Sequence, residues 1–490
     1  GREFRDDHHS WSGDLDVFGR GSLFQKLNQC RTFPAQKKLA EWLTTVAAPK
    51  TVAERAQQAE SLRTATELRE RLAMIDDTVD WAVAVRTLER WADEAPQKLP
   101  APALWFSRIL AVAAAAVIAG TILGILPGSL LLLVMLLQVP GMYACRRQIR
   151  GVMEHAAAVE RPLRQLAEVS LQFEQYDFDE PSLIALRQRL TADGMSASKH
   201  IHQLSNTVQW LNNALCNQFF LPPAWMFGLF LELPYRVERW RTNYGHRIDI
   251  WLDTVAALEV ILTVAAHNYE QQETWCLPKI SDETAEFVAS GLGHPLIPAA
   301  MCVRNDVALS QAVPLILISG SNMSGKSTLL RSVGTNLVLA NCGCRVCAEK
   351  LTAYPFRLAT AMRVSDSLQE GRSLFMTVLQ RLKTVVDLTG ESRRVLFLLD
   401  EILSGTNSHD RLRGAEAVIR NLVERQALGL VTTHDLALTK IIDSMDGRGV
   451  NMHFEDQVTD GHMTFDYRLR PGVVRRSNAI ELMRMIGLDV

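Results

Sequence analysis

Leu315-Ile316-Leu317-Ile318-Ser319-Gly320-Ser321-Asn322-Met323-Ser324-Gly325-Lys326-Ser327-Thr328 decides the fold. An apolar run feeds into Gly-x-x-x-x-Gly-Lys-Ser, the pattern of a phosphate-binding P-loop. The spacing has a physical reason. Glycines let backbone N–H groups turn inward around phosphates, and the helix expected over 328–340 points its positive end at them. Lys326 then reaches the β- and γ-phosphates, and the Ser327 hydroxyl ligates Mg²⁺. Gly320, Ser321, Asn322, Met323, Ser324, Gly325, Lys326, Ser327 and Thr328 are therefore read as the cradle of a nucleoside triphosphate, ATP with Mg²⁺.

Downstream, short apolar strand candidates at 395–399 and 428–432 alternate with helical stretches after 326 and near 413–425. That alternation predicts an α/β P-loop ATPase domain with a mainly parallel sheet over 286–490. Pro278 and the segment 291–298 mark its start. Val395–Leu399 ends in Asp400-Glu401, two carboxylates at the end of an apolar strand. In P-loop enzymes the first holds Mg²⁺ and the second polarises the attacking water, so Asp400 is expected at the metal and Glu401 at catalysis. Leu428–Thr433 repeats the geometry and ends in His434, a candidate γ-phosphate sensor on the same sheet edge.

The rest of the chain reads as a long all-α region. Residues 1–100 and 151–285 carry Leu, Trp and Phe at helix-compatible spacings among charges. Pro222-Pro223 interrupts the second part. Between them, over 101–150, lie two apolar runs, Ile109–Leu126 and Leu130–Cys145, joined by the Pro127-Gly128-Ser129 turn. Eighteen helical residues span about 27 Å, near the roughly 30 Å of a bilayer's hydrocarbon. Arg108 precedes the pair, and Arg146, Arg147 and Arg150 follow it. The positive-inside rule then predicts a two-helix membrane anchor at 109–145 with both ends on the cytoplasmic face. A hairpin buried in a soluble helical domain, or under a partner, satisfies the same pattern.

Composition sets outer bounds. A chain of 490 residues holds two to four domains. With 52 basic and 54 acidic residues, any DNA contact needs a local patch. Eight cysteines beside ATP chemistry fit a reducing cytoplasm better than a disulfide framework. The start at Gly1 suggests a fragment or a processed chain.

Several motifs resemble the MutS-group ATPases of DNA mismatch repair. They are Gly320–Thr328 with its internal Asn-Met, Asp400-Glu401 followed by Gly405-Thr406-Asn407, and Thr433-His434-Asp435. Leu469-x-Pro471-Gly472, Ser477-Asn478-Ala479-Ile480 and Gly293-His294-Pro295-Leu296 with Asn305-Asp306 join them, and Asp14–Gly19 is similar to the start of that family's helical core. The resemblance implies a homodimer with composite ATP sites, in which Ser373 of Gly371-Arg372-Ser373 reaches the second copy's nucleotide in trans. A plain helix N-cap explains Ser373 as well. It also implies ATP-driven dimer closure coupled to helical arms, and DNA as the candidate ligand of those arms.

Three departures matter. No N-terminal mismatch-reading domain with a Phe-x-Glu wedge fits, and Phe178-Asp179-Glu180 reads as a solvated acidic turn. An apolar hairpin stands where that family inserts a DNA clamp. Cys302 stands where that family stacks a Phe on adenine, with Tyr467 as a candidate stacking residue from the other side. The alternative function is a membrane-tethered mechanochemical or scaffolding ATPase without mismatch recognition. An ATP-driven transporter fits less well, because Leu403-Ser404-Gly405-Thr406 follows the acidic strand instead of preceding it. Cys342-Gly343-Cys344-Arg345-Val346-Cys347 lacks a second ligand pair and reads as small core residues. The tryptophans from Trp210 to Trp251 read as core or as an interfacial belt.

Overall fold

The computed structural model describes residues 1–75, 81–97, 99–271, 273–321, 323–362, 374–403, 408–459 and 462–474. By their contacts they form two units. One comprises Gly1–Gln29, Lys37–Thr64 and Ile261–Val490, the other Cys30–Gln36 and Ala65–Val260. This division differs from the expected domain borders at 100 and 285. Much of the N-terminal helical stretch groups with the α/β domain, and the border falls inside the helix Ile248–Glu270.

The first unit is built on a six-stranded sheet. In spatial order its strands are His462–Pro471, Gly449–Thr459, Leu315–Ser319, Leu428–Thr433, Val395–Leu399 and Arg357–Ala361. All neighbours pair in parallel except the edge pair of Gly449–Thr459 with His462–Pro471. The three central strands are buried at every position, as a parallel sheet covered on both faces requires. Register places Ser319 beside Thr433 and Leu399 beside Val431. Residues 320, 400 and 434 therefore leave the sheet at one edge, the carboxyl ends where α/β sheets bind ligands.

The helix Lys326–Asn341 starts at the end of the Leu315–Ser319 strand and is buried along most of its length. Gly334 in its middle is close-packed, since a Cβ there would lie 2.7 Å from Leu15 and 3.0 Å from Leu398. Leu15 belongs to the N-terminal segment, which docks on this domain through a buried carboxylate. Asp14 accepts hydrogen bonds from Thr360 Oγ1 (2.7 Å), the Met362 amide (3.1 Å) and Arg381 (3.0 Å). Cys342 and Cys344 are buried in the turn after the helix, and burial pushes the Cys342 thiol up to about 12. A four-stranded sheet of Lys279–Ile280, Lys350–Ala353, Phe287–Leu292 and Asn305–Leu309 completes the unit.

The second unit is helical. Its longest helix, Arg146–Gln175, packs against Ala197–Cys216, Leu229–Tyr244 and Trp81–Asp93. Trp240 and Trp251 lie in its core, where Trp240 Nε1 donates to the His200 carbonyl at 2.9 Å. Buried Arg241 is held by Glu238 at 2.7 Å and by the carbonyls of Trp91 and Ala95. Phe178 is buried against Tyr176, and Glu180 caps the next helix through the Leu183 amide, so the expected solvated turn is instead a packed corner.

The apolar runs form the helices Ala101–Ile122 and Leu130–Ala144, packed side by side. The first begins before the apolar run and ends at Ile122, short of the expected Leu126. Cys145 is the joint to the long helix, and the Leu130–Ala144 axis bends by 76° there. By length and composition Ala101–Ile122 is long and apolar enough to cross a membrane, and the bent pair offers a second candidate.

Candidate functional site

The P-loop backbone adopts the conformations its glycines permit. Gly325 caps the helix at φ +103° and Met323 sits at φ +72°. Tyr467 covers Gly325 so closely that a Cβ there would lie 3.1 Å from its ring. Lys326 is buried and donates to the carbonyls of Gly320 (2.9 Å) and Ser321 (2.6 Å). Burial lowers its pKa, while the nearby charges of Glu401, Asp400 and Asp456 work the other way. The expected acids thus face the expected lysine. The hydroxyls of Ser321 and Ser324 are buried without hydrogen-bond partners among the described residues. Orphaned polar atoms in a glycine-lined loop suit an oxygen-rich anion.

Opposite the loop, Thr432 organises the acids. Its Oγ1 accepts from the Glu401 amide at 3.2 Å and donates to the Asp400 carboxylate. Glu401 itself is left-handed, at φ +48°, a conformation costing a non-glycine residue on the order of 1 kcal/mol. His434 Nδ1 lies 3.6 Å from Glu401 Oε1. The next residue, Asp435, caps a short helix and pairs with Arg411 at 3.1 Å, a scaffold role.

Of these groups Glu401 borders a cleft of about 780 Å³, whereas Asp400 and His434 are not among its lining residues. Lys326, Ser327, Thr328 and Glu401 line its polar end, and Leu296, Ile297, Met301 and Cys302 its apolar wall. Tyr467 lines it too, at φ +55°, with its carbonyl held by Asn305 Nδ2 at 3.0 Å. Asn305 Oδ1 accepts from the Leu469 amide at 2.7 Å, tying the small sheet to the edge strand. His294 also lines the cleft; burial and the Arg331 charge push its pKa down to about 4, so it is neutral at pH 7. Asn322 and Ser373 lie outside the described residues, as do Gly405-Thr406-Asn407 and Ser477–Ile480.

Residues 316–489 match the family model of MutS domain V. The C-terminal part of the chain is therefore similar to MutS domain V. The chain is 32% identical over 282 residues to the DNA mismatch repair protein MSH6 of Arabidopsis thaliana, covering 54% of this chain and 20% of that protein. It is 33% identical over 246 residues to the DNA mismatch repair protein MutS of Natronomonas pharaonis, covering 49% and 28%. To the endonuclease MutS2 of Thermus thermophilus it is 36% identical over 197 residues, covering 40% and 25%. The chain thus spans under a third of the length of these relatives.

Sequence reasoning gave no separate role to three residues of the candidate site. Thr432 carries a weak signal, a hydroxyl residue near the end of the strand beside the acidic one. Asn305 and His294 were noted only as parts of a resemblance, and their positions depend on a sheet whose strands are far apart in the chain.

Proposed function

We propose that the chain is a Mg²⁺-dependent ATP hydrolase of the MutS type. The observation carrying this is the meeting of Lys326 with Asp400 and Glu401 at the carboxyl ends of the two parallel strands that flank Leu428–Thr433. Bound ATP supplies a phosphoanhydride, and Mg²⁺ offsets its charge. Lys326, Ser321, Ser324 and the loop amides hold phosphate oxygens, while Ser327 and Asp400 hold the metal. Glu401 takes a proton from the attacking water, and His434 steadies the γ-phosphate end. Tyr467 stacks on the base against an apolar wall in which Cys302 adds no ring of its own.

In this proposal two copies pair through their ATPase domains, with Ser373 of each completing the other's site, and the helical unit passes the change to a ligand. The names of the relatives make DNA the first candidate for that ligand. The test is phosphate release by the purified chain. Glu401→Gln should keep ATP binding and lose at least about a hundredfold in turnover. Substantial turnover by that variant would remove Glu401 from its role. DNA binding should weaken steeply with salt; absence of binding at low salt excludes DNA.

A second reading concerns the hairpin. Its many exposed apolar side chains, Ile109, Val112, Leu132 and Leu136 among them, favour tethering to the cytoplasmic face of a membrane. Carbonate extraction of membranes tests it, since release into the soluble fraction contradicts an anchor.

A further inference from the structure

Resting on the tethering reading, we propose that Phe219–Phe230 joins the hairpin in one lipid-embedded body. This body enters an anionic bilayer from a single face, with its tip held inside the hydrocarbon. The charge-free parts of both legs are shorter than a bilayer's hydrocarbon is thick. Beyond Arg108, the first helix has only Ile109–Ile122 left, about 21 Å. The second leg, Leu130–Ala144, has 15 residues, about 22 Å, against roughly 30 Å of hydrocarbon.

The tip suits oil better than water. No residue from Ile109 to Cys145 is charged. Ile122, Leu123 and Ile125 at the turn are 80%, 72% and 73% exposed, which a loop emerging into water would leave unburied. Four amides of the turn are bonded within it. Leu123 and Gly124 donate to Ala119 and Thr121, and Ile125 and Leu126 both donate to the Gly120 carbonyl. Gly124 at φ +73° makes this closure possible, and Pro127 brings no N–H. Internal satisfaction of the backbone is what hydrocarbon demands.

The third element comes from the tryptophan-rich region. Asn217–Leu231 carries no charge, and Phe219 is 93% exposed. On its inner side Ala224 and Phe230 pack with Met142, and Met226 packs on Leu110, Ala114 and Val134 of the hairpin. Gly228, at φ +65°, leaves no room for a Cβ beside Ser107. Gln138, the hairpin's strongly polar side chain, is buried and donates to the Ser107 carbonyl at 3.3 Å. Charges gather at the base alone. Arg108 pairs with Glu232 at 3.0 Å, and Arg146, Arg147 and Arg150 follow the bend, where they meet anionic headgroups.

The full chain is reconstituted into phosphatidylethanolamine–phosphatidylglycerol vesicles, floated, and exposed on both sides to a membrane-impermeant maleimide. Ile125→Cys, Phe219→Cys and the base control Arg150→Cys are read by peptide mass spectrometry against SDS-denatured samples. Positions 125 and 219 should be modified at least about tenfold less in vesicles than in SDS, while position 150 is modified fully in both. Modification at 125 in floated vesicles overturns the buried tip but leaves the tether standing. Protection at 125 with modification at 219 overturns the third element. Failure of the chain to float with vesicles overturns the tethering reading itself.

Discussion

Replacing Thr432 by Val keeps the shape of a fully buried side chain and deletes one hydroxyl. That hydroxyl makes two bonds at the site, one donated to the Asp400 carboxylate and one accepted from the Glu401 amide. A hydrogen bond to an ionised group contributes about 1.5–3 kcal/mol, and an amide left without its acceptor costs about 1–3 kcal/mol more. The two losses overlap, so urea unfolding should show a destabilisation of about 2–4 kcal/mol. The kinetic effect follows from Glu401. Its left-handed backbone is tethered by that amide bond, and releasing it lets the carboxylate drift. A displacement on the order of 1 Å costs roughly a hundredfold in rate. Steady-state phosphate release should therefore show kcat down about a hundredfold, with ATP affinity changed by less than about threefold. Thr432→Ser, which keeps the hydroxyl, should recover most of the rate. If Thr432→Val lost stability yet kept normal kcat, the hydroxyl would be structural only, and the positioning argument would be refuted.

Gly325→Ala places a methyl group 3.1 Å from the Tyr467 ring at φ +103°, so nucleotide affinity should fall at least about tenfold and stability by about 1–2 kcal/mol, measured by titration and urea unfolding. Asp14→Asn removes the buried charge facing Arg381 and should cost about 3 kcal/mol, with proteolysis within the first thirty or so residues rising in step. Glu259, buried in the helical unit where its carboxylate accepts from the amides of Arg31 and Thr32, has its pKa raised by burial to about 7. An acid whose folded pKa lies above its unfolded value loses stability as pH rises from about 4.5 to about 7. Glu259→Gln should therefore gain about 3 kcal/mol relative to the native chain between pH 4.5 and pH 8, seen in urea midpoints across that range. His267 and His294, both pushed down to about 4 by burial, act oppositely in both chains and cancel in this difference.

The edge of the sheet that carries the candidate site was legible because its determinants are local. The P-loop, the acidic strand end and Thr433-His434 are contiguous motifs, and the strand candidates read at 315–318, 395–399 and 428–432 are buried parallel strands within one residue of those bounds. The docking of Asp14 on Thr360 and Arg381 joins residues hundreds of positions apart and leaves no periodic signature. Strand order was equally silent. The hairpin's apolar character was plain, but where the first helix stops depends on Gly124 closing its turn at Ile122. The role of Phe219–Phe230 was hidden because Pro222-Pro223 looked like an interruption, whereas both prolines fit the first turn of a short helix packed on the hairpin.

The most direct test of the ATP site is titration of the purified chain with ATP and Mg²⁺, alongside Lys326→Ala. One saturable nucleotide per chain is predicted for the native protein, with affinity reduced at least about a hundredfold by the substitution. Absence of saturable binding, or equal binding by Lys326→Ala, would contradict the assignment of residues 320–328 as the triphosphate cradle.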